Sequence, residues 1–299
     1  MRAAAFTAPG GPDVLRLMEL PDPVPAEGQV LVRVRAAGVQ PYDCAVRAGW
    51  LPAGVPPTFP RVPGNEFAGV VEVGTADLAA GTEVLGFGQL GAYAELIAVP
   101  ADQVVVKPAG MPWEIGGGFS AGAQTAHIAL AEIRPGAGET LLVHGAAGAV
   151  GTVAVQLAVA AGATVVATAR PENHAYLRDL GAVPVAYGAG LADRLTAAAP
   201  GGFDAALDGA GGAALDVSLE LVRDRDRILT LVDHGRAAAL GVRVTPPARS
   251  AARLAALADL QDRGALKIHV RRTYPLAAAA DAHRDVEPGH GRGKVVLTV

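Results

Sequence analysis

The sequence predicts a two-domain α/β chain, a β-rich antiparallel domain followed by a doubly wound parallel-sheet domain. Three observations carry this. The 299 residues exceed what one small core usually organises. Up to about Lys107 the chain reads as short strands broken by Gly/Pro turns, and from Trp113 it alternates apolar strands with Ala-rich helices.

Taken in order, Gln29–Arg35 places Val30, Val32 and Val34 on one face and Arg33 and Arg35 on the other, the period of a half-solvated strand. Strands are expected next at 66–73, 82–87, 92–99 and 103–107. In the second grammar the expected strands are 141–145, 164–169, 183–187, 203–208 and 227–232. The helices between and after them are 149–161, 172–180, 191–198, 213–222 and 250–263. A strand at 267–272, a helix at 276–286 and a final strand at 294–299 complete the reading. There is no repeat of fixed period and no charge run.

Composition narrows the function. Hydrophobic residues make up 51% and charged residues 18%, with no uncharged apolar run long enough to span a bilayer. Met1–Phe6 runs directly into Pro9-Gly10-Gly11-Pro12, too short an apolar stretch for a secretory leader, so a cytoplasmic protein is expected. A net charge of −4 without a basic block argues against nucleic acid as a partner. Cys44 is the single cysteine, which excludes an intrachain disulfide and any zinc site built from several thiolates.

The strongest local signal is Leu141-Leu142-Val143-His144-Gly145-Ala146-Ala147-Gly148-Ala149-Val150-Gly151, an apolar strand, a small-residue turn and a helix start. The free amides and positive dipole end of such a helix suit a pyrophosphate. The pattern reads A-x-G-x-x-G: Ala146 stands first, Gly148 admits the phosphates, and Gly151 lets the helix pack on the strand. Ala149 and Val150 lie in the same first turn. The next strand ends at Ala169 and is followed by Arg170, where an acid would select NAD through the ribose 2′-hydroxyl. A guanidinium there suits the 2′-phosphate of NADPH instead, and Asn173 can add a polar contact. Asp208-Gly209 ends the fourth strand of this domain, so Gly209 is expected to line the same site.

With these residues in place, the chain resembles the zinc-independent quinone oxidoreductase branch of the medium-chain dehydrogenase/reductases. The resemblance runs through Gly38–Asp43, Pro63–Val71, Gly91–Glu95, Gly138–Thr140 with the turn above, and Gly289–Val296. It implies a GroES-like catalytic domain at residues 1–112 and 247–299, a Rossmann domain at 113–246, a cleft between them, and commonly a homodimer through the Rossmann sheet edge. In zinc-dependent relatives a Cys stands where this chain has Gln40 and a His where it has Asn65. Amides are poor zinc ligands, so no metal is expected. The implied reaction is transfer of the NADPH hydride to a quinone or an α,β-unsaturated carbonyl.

The catalytic candidates are Gln40 and Tyr42. Gln40 has donors and acceptors to orient a carbonyl, or equally to satisfy its own loop. Tyr42 can donate a proton to a developing oxyanion or serve as a wall, since relatives often carry their Tyr where this chain has Ala45. Asp43 and Arg47, four apart, suggest a helical ion pair. The resemblance places Thr125 near the nicotinamide side, and Arg292 and Lys294 either at the cofactor phosphates or as caps of the last strand. A 2-enoyl thioester reductase is the same-class alternative, and a non-enzymatic NADPH-binding or structural protein the other.

Overall fold

The computed structural model describes residues 1–299 and divides them into two compact units, Met1–Ala121 with Ser250–Val299, and Gly122–Arg249. The first unit opens with β1 (Arg2–Ala5), β2 (Arg16–Glu19), β3 (Gln29–Val39), α1 (Pro41–Ala48) and β4 (Glu66–Val73). It continues through β5 (Glu83–Phe87), β6 (Leu96–Pro100), β7 (Val104–Val106) and α2 (Trp113–Gly117), after which α3 (Ser120–Ile133) carries the chain onward. Helix α2 belongs to this unit because it packs on β3 and β4. Gly117 lies so near Ala36 that a Cβ added there would stand 2.5 Å from the Ala36 Cβ.

The second unit holds β8 (Thr140–His144), α4 (Ala149–Ala160), β9 (Thr164–Ala169), α5 (His174–Asp179), β10 (Val183–Ala186) and α6 (Leu191–Ala198). It is completed by β11 (Ala205–Asp208), α7 (Ala213–Leu221), β12 (Ile228–Thr230), α8 (His234–Leu240) and β13 (Arg243–Val244). The chain then returns to the first unit as α9 (Ala251–Asp262), β14 (Val270–Pro275), α10 (Ala279–Val286) and β15 (Lys294–Thr298).

In the second unit all strand pairs are parallel and the order is β10-β9-β8-β11-β12-β13. Counted along this unit that is 3-2-1-4-5-6, so the direction of winding reverses between β8 and β11. A ligand site is expected outside the carboxyl ends of those two strands. Leu142, Val166, Leu195, Phe203 and Ile228 share its core.

In the first unit the main sheet runs β14-β15-β3-β4-β5-β7, with β6 also on β3. Its pairs are antiparallel except β14 with β15. Val32, Phe67, Tyr93 and Val295 share its core. Strand β3 runs four residues beyond the expected end at Arg35, because Ala36–Val39 pair with Val295–Thr298 from the far end of the chain. The strand expected at 267–272 sits at Val270–Pro275: its register is set by β15, and as an edge strand it lacks a second partner to enforce alternation.

Candidate active site

The turn after β8 is built by glycine geometry. Gly145 has φ +68° and faces Gly209 so closely that a Cβ would stand 2.8 Å from the Gly209 carbonyl oxygen. Gly209 N–H donates to the His144 carbonyl at 3.2 Å, which ties the ends of β8 and β11 together at the reversal point. Gly145 thus takes the left-handed position, which leaves Ala146 in an ordinary conformation; the small-residue run of the sequence concealed that division. Ala146 N–H is fixed by the Thr168 carbonyl at 3.2 Å. Gly148 is the N-cap of α4, and the helical ladder starts with Thr152 N–H on the Gly148 carbonyl at 2.9 Å. The preceding amides of Ala149, Val150 and Gly151 are first-turn groups with no intrahelical acceptor. A Cβ on Gly151 would lie 2.5 Å from both the Ala146 Cα and the Gly145 oxygen, whereas one on Gly148 would meet only that oxygen, at 3.3 Å. The turn therefore fits a pyrophosphate: bare backbone, unpaired donors and a helix dipole of the right sign.

Asp208 shapes the rim. Its Oδ1 accepts from the amides of Ala210 (3.0 Å) and Gly211 (2.8 Å), and its Oδ2 accepts from Thr230 Oγ1 at 2.7 Å. Thr230 Oγ1 in turn accepts from the Asp233 amide at 3.0 Å. The loops after β11 and β12 are thereby held as one piece. At the end of β9, Arg170 is half-exposed and its Nε donates to the Tyr187 hydroxyl at 2.8 Å. No acid occupies the strand end itself; Glu172 is 63% exposed and stands 3.9 Å from the guanidinium. Asn173 is buried in the short turn after Arg170, and Thr125 is half-buried on α3. Tyr187, seventeen residues from Arg170 on the next strand's exit, was not singled out by the sequence because only the β9–β10 pairing brings it there.

The first unit contains a buried polar cluster whose members come from four places in the chain. Lys294, 1% exposed at the start of β15, donates from Nζ to Gln40 Oε1 at 2.9 Å and pairs with Glu66 Oε1. Gln40 Nε2 donates to Asn65 Oδ1. The Ala121 amide donates to Glu66 Oε2 at 2.6 Å. Gly38 leaves room for this pair, since a Cβ there would collide with Glu66 Oε1 and Lys294 Cε at 2.0 and 2.8 Å. Gln40 thus bonds to Lys294 and Asn65 while it also forms a capping box with Asp43 at the start of α1. Lys294, expected at the cofactor phosphates or as a cap of the last strand, instead has its ammonium bonded to Gln40 and paired with Glu66. Arg292 precedes it, half-buried, in the loop before β15.

Beside this cluster Asp43 holds two segments at once. Its Oδ2 accepts from the Gln40 amide and the Tyr93 hydroxyl, both at 3.1 Å, and its Oδ1 accepts from the Gly64 amide at 3.2 Å. The carboxylate therefore fixes the backbone next to both amides of the Gln40–Asn65 pair. The helical Asp43–Arg47 ion pair expected from spacing does not form. Arg47 reaches Glu287 after α10, and its Nε donates to the Gly10 carbonyl at 2.9 Å. Tyr42 packs edge-on against Trp50, ring centroids 5.2 Å apart.

Burial moves several titrations, three of which bear on stability in the acid range. It pushes the Asp43 carboxyl up to about 7 against the opposing charge of Lys294. It pushes His283 down to about 3, helped by Arg47, and His144 down to about 4, opposed by Asp208. The signs are opposite. A depressed histidine contributes stability above about pH 6.5 that is lost as pH falls toward its folded value, whereas Asp43 contributes below about pH 4 and loses that contribution as pH rises to about 7. Two histidines outweigh one carboxyl, so unfolding free energy should fall between pH 6.5 and 4.5. Replacing His283 with Gln should flatten that slope by up to about 1.4 kcal/mol per pH unit, whatever the variant's absolute stability. Urea titrations of both proteins across this range with equal slopes would refute the assignment.

No group of three or more His, Cys, Asp and Glu side chains is placed to hold a metal ion, and no helix is long and apolar enough to cross a membrane. Comparison with known proteins agrees with this architecture. Residues 26–109 match the alcohol dehydrogenase GroES-like domain, and residues 180–297 match the zinc-binding dehydrogenase domain. The chain is 31% identical to an NADPH-dependent alkenal/one oxidoreductase of Arabidopsis thaliana, over 99% of this chain and 79% of that protein. It is 33% identical to a synaptic vesicle membrane protein VAT-1 homolog of Rattus norvegicus, over 77% of this chain but only 59% of that protein. Among solved structures, the quinone oxidoreductase from Coxiella burnetii superposes with a TM-score of 0.90 at 29% identity, covering 100% of this chain and 99% of that one. Two units of these types, the glycine cradle at the sheet reversal and these matches place the chain in the medium-chain dehydrogenase/reductase family of oxidoreductases, with the quinone oxidoreductases among its relatives.

Proposed function

We propose that the protein is an NADPH-dependent, zinc-independent reductase acting on a quinone or an α,β-unsaturated carbonyl. The observation that carries the zinc-independent part is the Lys294 ammonium bonded to both Gln40 and Glu66, next to Asn65. The positive charge that balances the buried Glu66 carboxylate is covalent, and the neighbouring donors are amides that bind zinc poorly. Such a site lacks a built-in Lewis acid for activating an alcohol, and it suits an acceptor that is already electrophilic. The names of the Arabidopsis and Coxiella relatives support the acceptor class, and the former supports the cofactor.

In this reading Ala146, Gly148, Ala149, Val150 and Gly151 hold the pyrophosphate, Gly209 borders it, and Arg170 with Tyr187 and Asn173 receives the 2′-phosphate. Thr125 and Arg292 add contacts to the cofactor. When bound, the nicotinamide supplies the hydride. Gln40, its Oε1 polarised by Lys294, orients the acceptor carbonyl through an N–H not engaged by Asn65. Tyr42 offers a phenol as proton source for the reduced oxygen. A homodimer along the Rossmann sheet edge is part of the proposal; the sheet's edge strands are β10 and β13.

The test is steady-state NADPH oxidation with a panel of quinones, enones and 2-enoyl thioesters, before and after exhaustive chelation, with zinc measured on the same samples. Turnover with quinones or enones that survives chelation, without stoichiometric zinc, is expected. One zinc per chain with activity lost on chelation overturns the zinc-independent reading; turnover confined to enoyl thioesters reassigns the acceptor; no turnover with any acceptor despite NADPH binding leaves a binding protein.

A further inference from the structure

Arg61 is a buried cation without a counter-ion. It is 5% exposed, and its backbone is fixed on both sides by Phe6, with Phe6 N–H on the Arg61 carbonyl at 3.0 Å and Arg61 N–H on the Phe6 carbonyl at 2.9 Å. The guanidinium carbon stands 4.8 Å from the Phe59 ring centroid and 5.9 Å from that of Phe6. Nη2 donates to the carbonyls of Pro56 at 3.1 Å and Thr58 at 3.2 Å. No carboxylate pairs with it, and its Nε and Nη1 have no protein acceptor, yet neither is sealed from solvent. Neighbouring basic groups of this unit behave otherwise: Arg47 pairs with Glu287, Lys107 with Glu83 and Lys294 with Glu66.

Arg61 also lines a shallow, open cavity of about 300 Å³ with Val55, Pro56, Pro60, Val62 and Leu90. Thr58 and Gly91 complete a lining that is mostly apolar, and the one formal charge in it is Arg61. A cation partly screened from water by apolar neighbours attracts an anion more strongly than a fully solvated one does. Aliphatic walls favour an apolar body attached to that anion. The aromatic rings and the two backbone carbonyls hold the guanidinium in place without neutralising it.

We propose that this cavity binds an apolar molecule carrying a single anionic group, a carboxylate or a phosphate, with the anion on Arg61 and the hydrocarbon against Val55, Val62 and Leu90. The site stands on its own residues, apart from the cofactor cradle and the Lys294 cluster, and does not depend on the reductase reading. Its wall is nevertheless continuous with the segment that bears Asn65, because Gly91 N–H donates to the Val62 carbonyl at 3.0 Å and Gly88 N–H to the Asn65 carbonyl at 3.1 Å.

Calorimetric titration of the whole protein with decanoate, decyl phosphate, decanol and acetate tests this. Decanoate, decyl phosphate or both should bind, with the tighter one naming the head group, and decanol and acetate should bind at least tenfold more weakly. Arg61→Met should weaken the anionic ligand by about 10- to 100-fold, the loss expected for a charge-assisted bond. Because Arg61→Met could disturb the Phe6–Phe59 packing, Val55→Trp serves as the second variant: it fills the cavity from its half-exposed side and should abolish binding with the guanidinium intact. Retained thermal stability verifies the fold of both. Decanol binding as tightly as decanoate, binding unchanged in both variants, or no binding of either anionic probe would overturn the proposal.

Discussion

Gly151→Ala is expected to cost about 1 to 3 kcal/mol of stability and to weaken dinucleotide binding by about 10- to 100-fold. The single added carbon meets backbone on two sides, 2.5 Å from the Ala146 Cα and 2.5 Å from the Gly145 oxygen, so no side-chain rotation relieves it. Helix α4 must shift away from the turn, carrying the amides of Ala149 and Val150 from their places. Gly148→Ala is the contrast. Its φ of −72° is open to any residue and its Cβ would meet only one oxygen at 3.3 Å, so stability should be nearly unchanged while the side the phosphates approach becomes occupied. Thermal unfolding and cofactor titration of both variants separate packing from ligand approach. A Gly151→Ala protein that keeps the parent melting temperature and affinity would show that the turn does not need this close contact.

Lys294→Met should destabilise the first unit by about 3 to 5 kcal/mol, the usual consequence of leaving one member of a buried pair behind. Glu66 is 0% exposed, and although the Ala121 amide still donates to its Oε2, Oε1 would face Gly38 and the methionine with no donor. Adding Glu66→Gln removes the uncompensated charge and should recover a large part of the loss. Gln40 would lose the donor at its Oε1 in either protein. Urea unfolding of the single and double variants measures both effects. A single variant within about 1 kcal/mol of the parent, or a double variant no better than the single one, would show that the pair is not energetically coupled.

How much of this was legible in the sequence depends on how far apart the partners lie. The glycine turn after β8 could be read because strand, turn and helix are contiguous: Leu141–Gly151 contains both the apolar run and the glycines. Helix 191–198 and strands 66–73 and 164–169 were placed at their observed ends, since their apolar pattern is local. The Lys294–Gln40 and Arg47–Glu287 contacts join residues 254 and 240 apart, and no spacing rule reaches that far. For that reason Asp43 and Arg47 looked like each other's partners, and Lys294 looked like a phosphate ligand or a cap of the last strand. The extension of β3 through Ala36–Val39 was hidden for the same reason: its partner β15 is the last strand of the chain. Gly145 escaped notice for a different cause, because several neighbouring small residues could have filled the turn and only the φ of +68° distinguishes it.

An NADPH-dependent reductase, as proposed, must read the 2′-phosphate of its cofactor. Arg170 and Tyr187 stand together at the end of β9, where a carboxylate would repel that phosphate, and a guanidinium can donate charge-assisted bonds to it. The direct measurement is kcat/KM for NADPH and for NADH with one quinone acceptor, on the parent protein and on Arg170→Ala. The parent should favour NADPH, and the variant should lose about 10- to 100-fold with NADPH while NADH is nearly unaffected. A parent that favours NADH, or a variant that loses equally with both cofactors, would contradict it.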